Sequence, residues 1–246
     1  MDLTMVSLQI CIQLLFPVIL GFLLVKRLAL PARIFFVGIL FFLVSQVMEL
    51  PIVAGFLIFD LGLENNPLAR SLLAGLTAGV FEESARYLGF RFNHTMRANR
   101  TWSAALLYGA GHGGAESILL GLGVVAITIV AMIAPEQLPA ELVGGGEAVW
   151  YAYLLGGLER IFAITLHISL AVLVLQVFLQ DSIIYLFLAM TYHALVNFIA
   201  VGIHAIYENL LLTEGVVLVF ALISLGIIWY FRDTKPGPSS EPVLTG

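Results

Sequence analysis

The chain has 246 residues, of which 61% are hydrophobic and only 11% charged, less than half the charged share of an ordinary soluble domain. Its 11 Lys and Arg against 16 Asp and Glu give a net charge of -5, which excludes a broadly basic nucleic-acid-binding protein. Its single cysteine, Cys11, excludes an internal disulfide and a cysteine-built metal cluster.

In chain order, apolar runs cover 6–25, 34–59, 71–90, 101–133, 148–175, 183–207 and 216–231. Each is long enough to cross, or nearly cross, a hydrocarbon core of roughly 30 Å. The runs are continuous rather than alternating, which predicts helices and not barrel strands. The expected fold is all-α: a polytopic membrane helix bundle of about seven transmembrane helices. A single transmembrane domain would occupy 1–231, and 232–246 would be a short cytoplasmic tail. The first run lacks a basic flank and matches the others in length, so it is expected to be retained rather than cleaved. The fourth run is too long for one straight span, and Gly121 and Gly123 mark a candidate break or an extra short helix. The longest polar connection, 134–147, leaves no room for a soluble domain, so function is expected within the membrane.

Loop charge supplies an orientation. Lys26, Arg27 and Arg33 follow the first span, Arg91, Arg97 and Arg100 the third, and Arg232 and Lys235 the last. The alternate connections carry Asp60 and Glu64, then Glu136, Glu141 and Glu147, then Glu208 and Glu214, with Arg70 the basic exception. The positive-inside rule then places the N-terminus outside and the C-terminus in the cytoplasm. Topology and anionic lipid head groups account for the basic loops, and no nucleic-acid partner is expected.

Charged or strongly polar groups inside a span need a partner, a wet cavity or a function. The third span holds Glu82, Glu83 and Arg86. Glu82 and Arg86 are one turn apart, while Glu83 points about 100° away, so one carboxylate can hold the arginine while the other faces a site. The fourth span holds Tyr108, then His112 and Glu116 one turn apart, with Gly109, Gly111, Gly113 and Gly114 around the histidine. Those glycines permit close approach of another backbone or a substrate. The fifth span places Glu159 and His167 on a common stripe beside Arg160, and the sixth places His193 and Asn197 one turn apart. His204 and His94 read as incidental surface residues. At 1.5 Å per residue, Glu83, His112, His167 and His193 lie roughly 10 to 17 Å from the basic ends of their helices. They share one slab, from the bilayer centre to its cytoplasmic half.

Three imidazoles with carboxylates suit either a zinc centre or a metal-free acid–base site. The soluble HExxH signature is absent, and spacing alone does not choose between the two. A proton-coupled transporter would need a polar path to both faces, whereas the polar groups cluster at one depth in four spans.

Together, Glu82-Glu83-Ser84-Ala85-Arg86, Tyr108 to His112, the run Gly111-His112-Gly113-Gly114-Ala115-Glu116, His167, and His193 with Asn197 resemble the YhfC-type intramembrane proteases. That group is related to the CAAX-protease and bacteriocin-processing (CPBP) family and to the PrsW proteases. The ordered motifs run over about 81–197; the arginine register and Glu116 depart from the CAAX pattern. The resemblance implies a CAAX-protease-like core in helices 3 to 6, with Glu82 the closer counterpart of the water-activating glutamate. Helical geometry alone lets one of Glu82 and Glu83 face the site without choosing. Read as a metalloprotease, the pattern makes His112, His167 and His193 the leading Zn2+ ligands, with Glu82 or Glu116 as a further candidate.

The implied function is an endopeptidase in a prokaryotic plasma membrane. It would cleave a membrane protein or peptide in or near the cytoplasmic half, using water activated by Glu82 or Glu83. His193 and Asn197 would stabilise the tetrahedral intermediate, and Arg86 would fix a carboxylate rotamer. The seven-helix plan is also similar to the APH-1 subunit of gamma-secretase, which implies a non-catalytic scaffold as the alternative.

Overall fold

The computed structural model describes residues 2–58, 66–138 and 150–234. Their regular structure is helical: α1 (Leu3–Leu28), α2 (Arg33–Ile58), α3 (Pro67–Phe92), the single turn α4 (His94–Arg97), α5 (Trp102–Ile133), a 3-10 turn (Pro135–Gln137), α6 (Trp150–Leu179), α7 (Ile184–Tyr207) and α8 (Leu210–Tyr230). Asp60, Glu64, Glu141, Glu147, Ala148 and most of the expected tail, Lys235 included, lie outside the described residues. Side-chain caps start four of the long helices, and Asn93 caps the short α4, satisfying amide groups that the first turn leaves open. Asp2 accepts from Thr4 and Met5, Asn66 from Ala69, Thr101 from Ala104 and Asn209 from Leu212.

Six helices are long and apolar enough to cross a membrane: α1, α2, α5, α6, α7 and α8. α3 has comparable length, 26 residues, but carries the charged groups of the site. The expected seven spans therefore appear as six apolar helices and one that is polar inside the bundle. Two boundaries differ from expectation. α5 is one continuous helix of 32 residues, with no break at Gly121 or Gly123. α8 begins at Leu210 under the Asn209 cap, which puts Glu214 inside the helix and buried, not in a connection. Arg70 likewise lies on the first turn of α3.

The surface is apolar where a soluble protein would be polar: Phe22, Phe36, Val47, Leu222 and Trp229 are each more than half exposed. Hydrocarbon is the solvent that suits such a surface, and the polar side chains turn inward. α6 is the central helix, with 67% of its apolar window buried against at most 28% in any other apolar span. α5 packs on α1, α2 and α6; α3 packs on α2 and α7; α8 closes against α6 and α7.

Glycines set the closest of these approaches. A Cβ on Gly111 would stand 2.1 Å from the carbonyl oxygen of Phe35, and one on Gly38 would stand 2.1 Å from that of Tyr108. α2 and α5 thus meet backbone to backbone beside His112. Gly109 and Gly113 do the same for α6, where added Cβ atoms would lie 2.5 Å from Ile168 Cα and 2.9 Å from His167 Cβ. The expected close approach is that of neighbouring helices. Overpacking here costs about 1–3 kcal/mol, so Gly38→Ala or Gly111→Ala should lower the detergent-solubilised unfolding temperature. Gly123→Ala, with nothing within 4 Å of the added carbon, should leave it unchanged. Equal unfolding temperatures for all three would contradict this packing.

Candidate active site

α3 sends its two adjacent carboxylates to histidines on different helices. Glu82 Oε2 lies 2.9 Å from Nε2 of His112 on α5, and Glu83 Oε1 lies 2.9 Å from Nδ1 of His193 on α7. Both carboxylates thus meet a histidine, but only Glu82 lines a cavity. Their divergence on the helix is what lets each meet a separate partner. The arginine is held by Glu83, with Arg86 Nε 3.0 Å from Glu83 Oε2, and both side chains are fully buried. Glu82 is left facing a cavity.

His167 on α6 sits between Arg86 and Glu116. Arg86 Nη1 donates to the His167 carbonyl at 2.8 Å, and its Nη2 lies 3.1 Å from His167 Nδ1. Guanidinium nitrogens only donate, so Nδ1 accepts and the ring proton resides on Nε2. That proton points to Glu116 Oε2 at 2.6 Å. The other oxygen of Glu116 accepts from Arg160 Nη1 at 3.2 Å, and Arg160 also pairs with Glu159. The imidazoles stand in a row, with ring centroids 5.0 Å apart for His112 and His167 and 5.3 Å for His167 and His193.

Glu82, His167 and His193 each offer a ligand atom within 4.8 Å of the others, a group that could hold a metal ion. Two nitrogens and an oxygen suit Zn2+. Each donor also has a second hydrogen-bond partner that would orient it: His112 for Glu82, Glu116 for His167 and Glu83 for His193. Glu83 takes the Nδ1 side of His193, leaving Nε2 available. Both nitrogens of His167 are engaged, so an ion there would replace one of its two bonds. His112 stands one hydrogen bond outside this group, and its buried Nδ1 has no hydrogen-bond partner among the described residues.

Two cavities meet at the cluster. The larger, about 410 Å³, has Glu82, Glu116 and Asn197 at its inner end and runs between α2 and α3 past Thr77 and Glu49 to Arg70. The smaller, about 70 Å³, lies among α6, α7 and α8 and is lined by Glu116, Glu159, Arg160, His167, His193 and Asn197, with apolar walls that include Phe162, Phe220 and three alanines. Both extend toward the helix ends that carry the acidic connections. The cluster lies near mid-helix, and the space beside it is on the side of the acidic connections, not that of the basic ones. His94 and His204 are exposed and stand apart.

Sequence reasoning had assigned no role to Arg160, which clamps Glu116, or to Gln46 and Glu49, which line the large cavity. A buried arginine directly after a glutamate in an apolar run was the available signal for the first. Nothing in the sequence marks the α2 pair, because their position depends on how α2 crosses α3.

The profile described as YhfC intramembrane metalloprotease matches residues 12–217. A curated relative, "Uncharacterized membrane protein YhfC" of Bacillus subtilis (strain 168), is 30% identical over 227 residues, covering 82% of this chain and 85% of its own length. No solved structure matches. By this match over most of its length, the chain belongs to the YhfC intramembrane metalloprotease family.

Proposed function

We propose that this protein is an intramembrane endopeptidase that hydrolyses a peptide bond of a membrane-embedded or membrane-adjacent protein. The observation that carries this reading is the buried group of Glu82, His167 and His193, each with its own orienting partner, at the inner end of an apolar cavity of about 410 Å³. Its relation to the CAAX-processing and PrsW enzymes is part of the same proposal. A scaffold of the APH-1 kind needs helix-packing ion pairs but has no use for such a cavity beside paired metal donors.

Zn2+ held by Glu82, His167 and His193 would supply a Lewis acid that makes water nucleophilic at neutral pH. The chain's own residues do the rest. Glu82 would face the ion through the same Oε2 that bonds to His112, which leaves Oε1 to take the proton of the attacking water and deliver it to the leaving amine. His112 holds that carboxylate in place. Asn197, at the junction of both cavities, donates its amide to the oxyanion as the carbonyl becomes tetrahedral. Arg86 and Glu83 orient His193 and His167 without touching substrate. A substrate segment lying in the large cavity reaches Glu82 from the acidic-connection side, which the loop charges place outside; the proposed scissile bond lies there or at mid-membrane.

Two outcomes are expected. Purified without chelator and supplied with zinc, the wild type should hold close to one ion per chain. His167→Ala and His193→Ala should lose it, and His112→Ala should keep most of it. A protein that binds no zinc would remove the metal from the account, and loss only in His112→Ala would replace the ligand set. In a peptide-cleavage assay, Glu82→Gln should fall by about 10²-fold or more with the fold retained, the usual range for removing a general base. Undiminished cleavage would exclude Glu82 from that role.

A further inference from the structure

Hydrolysis inside a bilayer needs a supply of water, and a substrate segment seated in the large cavity fills that approach to Glu82. The smaller cavity reaches the cluster from another side, at Glu116, His167, His193 and Asn197. At about 70 Å³ it has room for about two water molecules, each of which occupies roughly 30 Å³ in the liquid. Ordered water also needs two to four polar partners, and Glu116, Glu159, Arg160, His193 and Asn197 provide them.

The charges continue outward. The Glu159 side chain, 34% exposed, is the outermost of the chain Glu159, Arg160, Glu116, His167, whose members are joined by direct contacts. Glu159 precedes His167 by two turns of α6, about 12 Å along the axis toward the acidic-connection end. Beside it on α8, Glu214 is 7% exposed and its Oε2 has no hydrogen-bond partner among the described residues. Glu214 lies one turn before Val217, which lines the cavity, and within electrostatic reach of Glu159 and Arg160. A buried carboxylate oxygen with no protein partner calls for water rather than hydrocarbon. Among the described residues this polar chain leads from the cluster toward the acidic-connection face, which fits supply to a site.

We propose that the smaller cavity among α6, α7 and α8 is the water inlet of the site, separate from the large apolar cavity that receives the substrate. This inference rests on the hydrolytic reading. Each turnover consumes one water. Its oxygen bonds to the carbonyl carbon as the C–N bond breaks, and its two hydrogens end on the departing amine, so the products are a carboxylate and an ammonium. Arg160 contacts both Glu159 and Glu116 along the inlet, and the short side chains of Ala163, Ala200 and Ala221 leave it open.

The test uses the full-length protein in liposomes, with the only cysteine removed as Cys11→Ala. Ala200→Cys places a thiol in the inlet wall, and Val219→Cys places one on the exposed, lipid-facing side of α8. Silver ion, small enough to follow water through a passage of this size, is added to the acidic-connection side and reacts with a hydrated thiolate. It should react about tenfold or more faster with Ala200→Cys than with Val219→Cys. Equally slow labelling at both would overturn the inlet. Separately, Ala200→Phe, or Ala200→Leu where the larger residue fails to fold, should slow peptide cleavage severalfold while zinc content and unfolding temperature stay at wild-type values. Unchanged cleavage in a folded, filled variant would overturn the inlet, because water would then arrive through the large cavity. Fast labelling together with no cleavage by the wild type would support the water route and overturn the hydrolytic reading instead.

Discussion

Arg86 is the residue on which the site depends. It is fully buried, pairs with Glu83 on its own helix, and spends two guanidinium nitrogens on the carbonyl and ring of His167. Through Glu83 it also fixes His193. One cation thereby joins α3, α6 and α7. Leaving one partner of such a buried pair alone costs about 3–5 kcal/mol in soluble proteins, and hydrocarbon offers no water to soften the loss. The arrangement is consequently all or none: the helices assemble with the charges matched, and the matched charges set the histidine rotamers.

Small residues supply the other half of the constraint. Lipid gives no hydrophobic drive for helix association, so close backbone contact has to hold the bundle together. The glycine face of α5 lets α2 and α6 approach it directly, at Phe35 on one side and His167 and Ile168 on the other. Without that proximity, the ring centroids of His112 and His167 would not come within 5.0 Å. Glycine placement and ligand geometry are one feature of the same helix.

Much of this was legible in the sequence. Spans are readable because hydrocarbon forces backbone hydrogen bonds to be made inside each segment, so apolar length translates into helices. Ionisable residues within spans are expensive, so Glu82, Glu83, Arg86, His112, Glu116, His167, His193 and Asn197 stand out without any structure. Partner choice did not follow. Whether Arg86 takes Glu82 or Glu83 depends on a rotamer and on α6, not on spacing. The donor group contains Glu82 beside two histidines, with His112 behind it, because His112 crosses from α5 to meet that carboxylate. The direction of the cavities was also hidden. It arises where α2 diverges from α3 and where alanines line α6, α7 and α8, and neither leaves a mark on hydropathy. Glu214 was read as a loop residue because a charged group ended the apolar run, while the Asn209 cap set the true start of the helix.

The central claim is that α3, α6 and α7 together present two imidazoles and one carboxylate to a single ion. X-ray absorption at the zinc edge on the zinc-loaded, detergent-solubilised protein tests it most directly. The account predicts a first shell of nitrogen and oxygen at about 2.0–2.2 Å, with outer-shell scattering from two imidazole rings. Scattering from three imidazoles would bring His112 into the coordination sphere and contradict the assignment of Glu82. A shell of oxygens alone would show that the ion sits elsewhere and that the buried histidines serve only to pack the bundle.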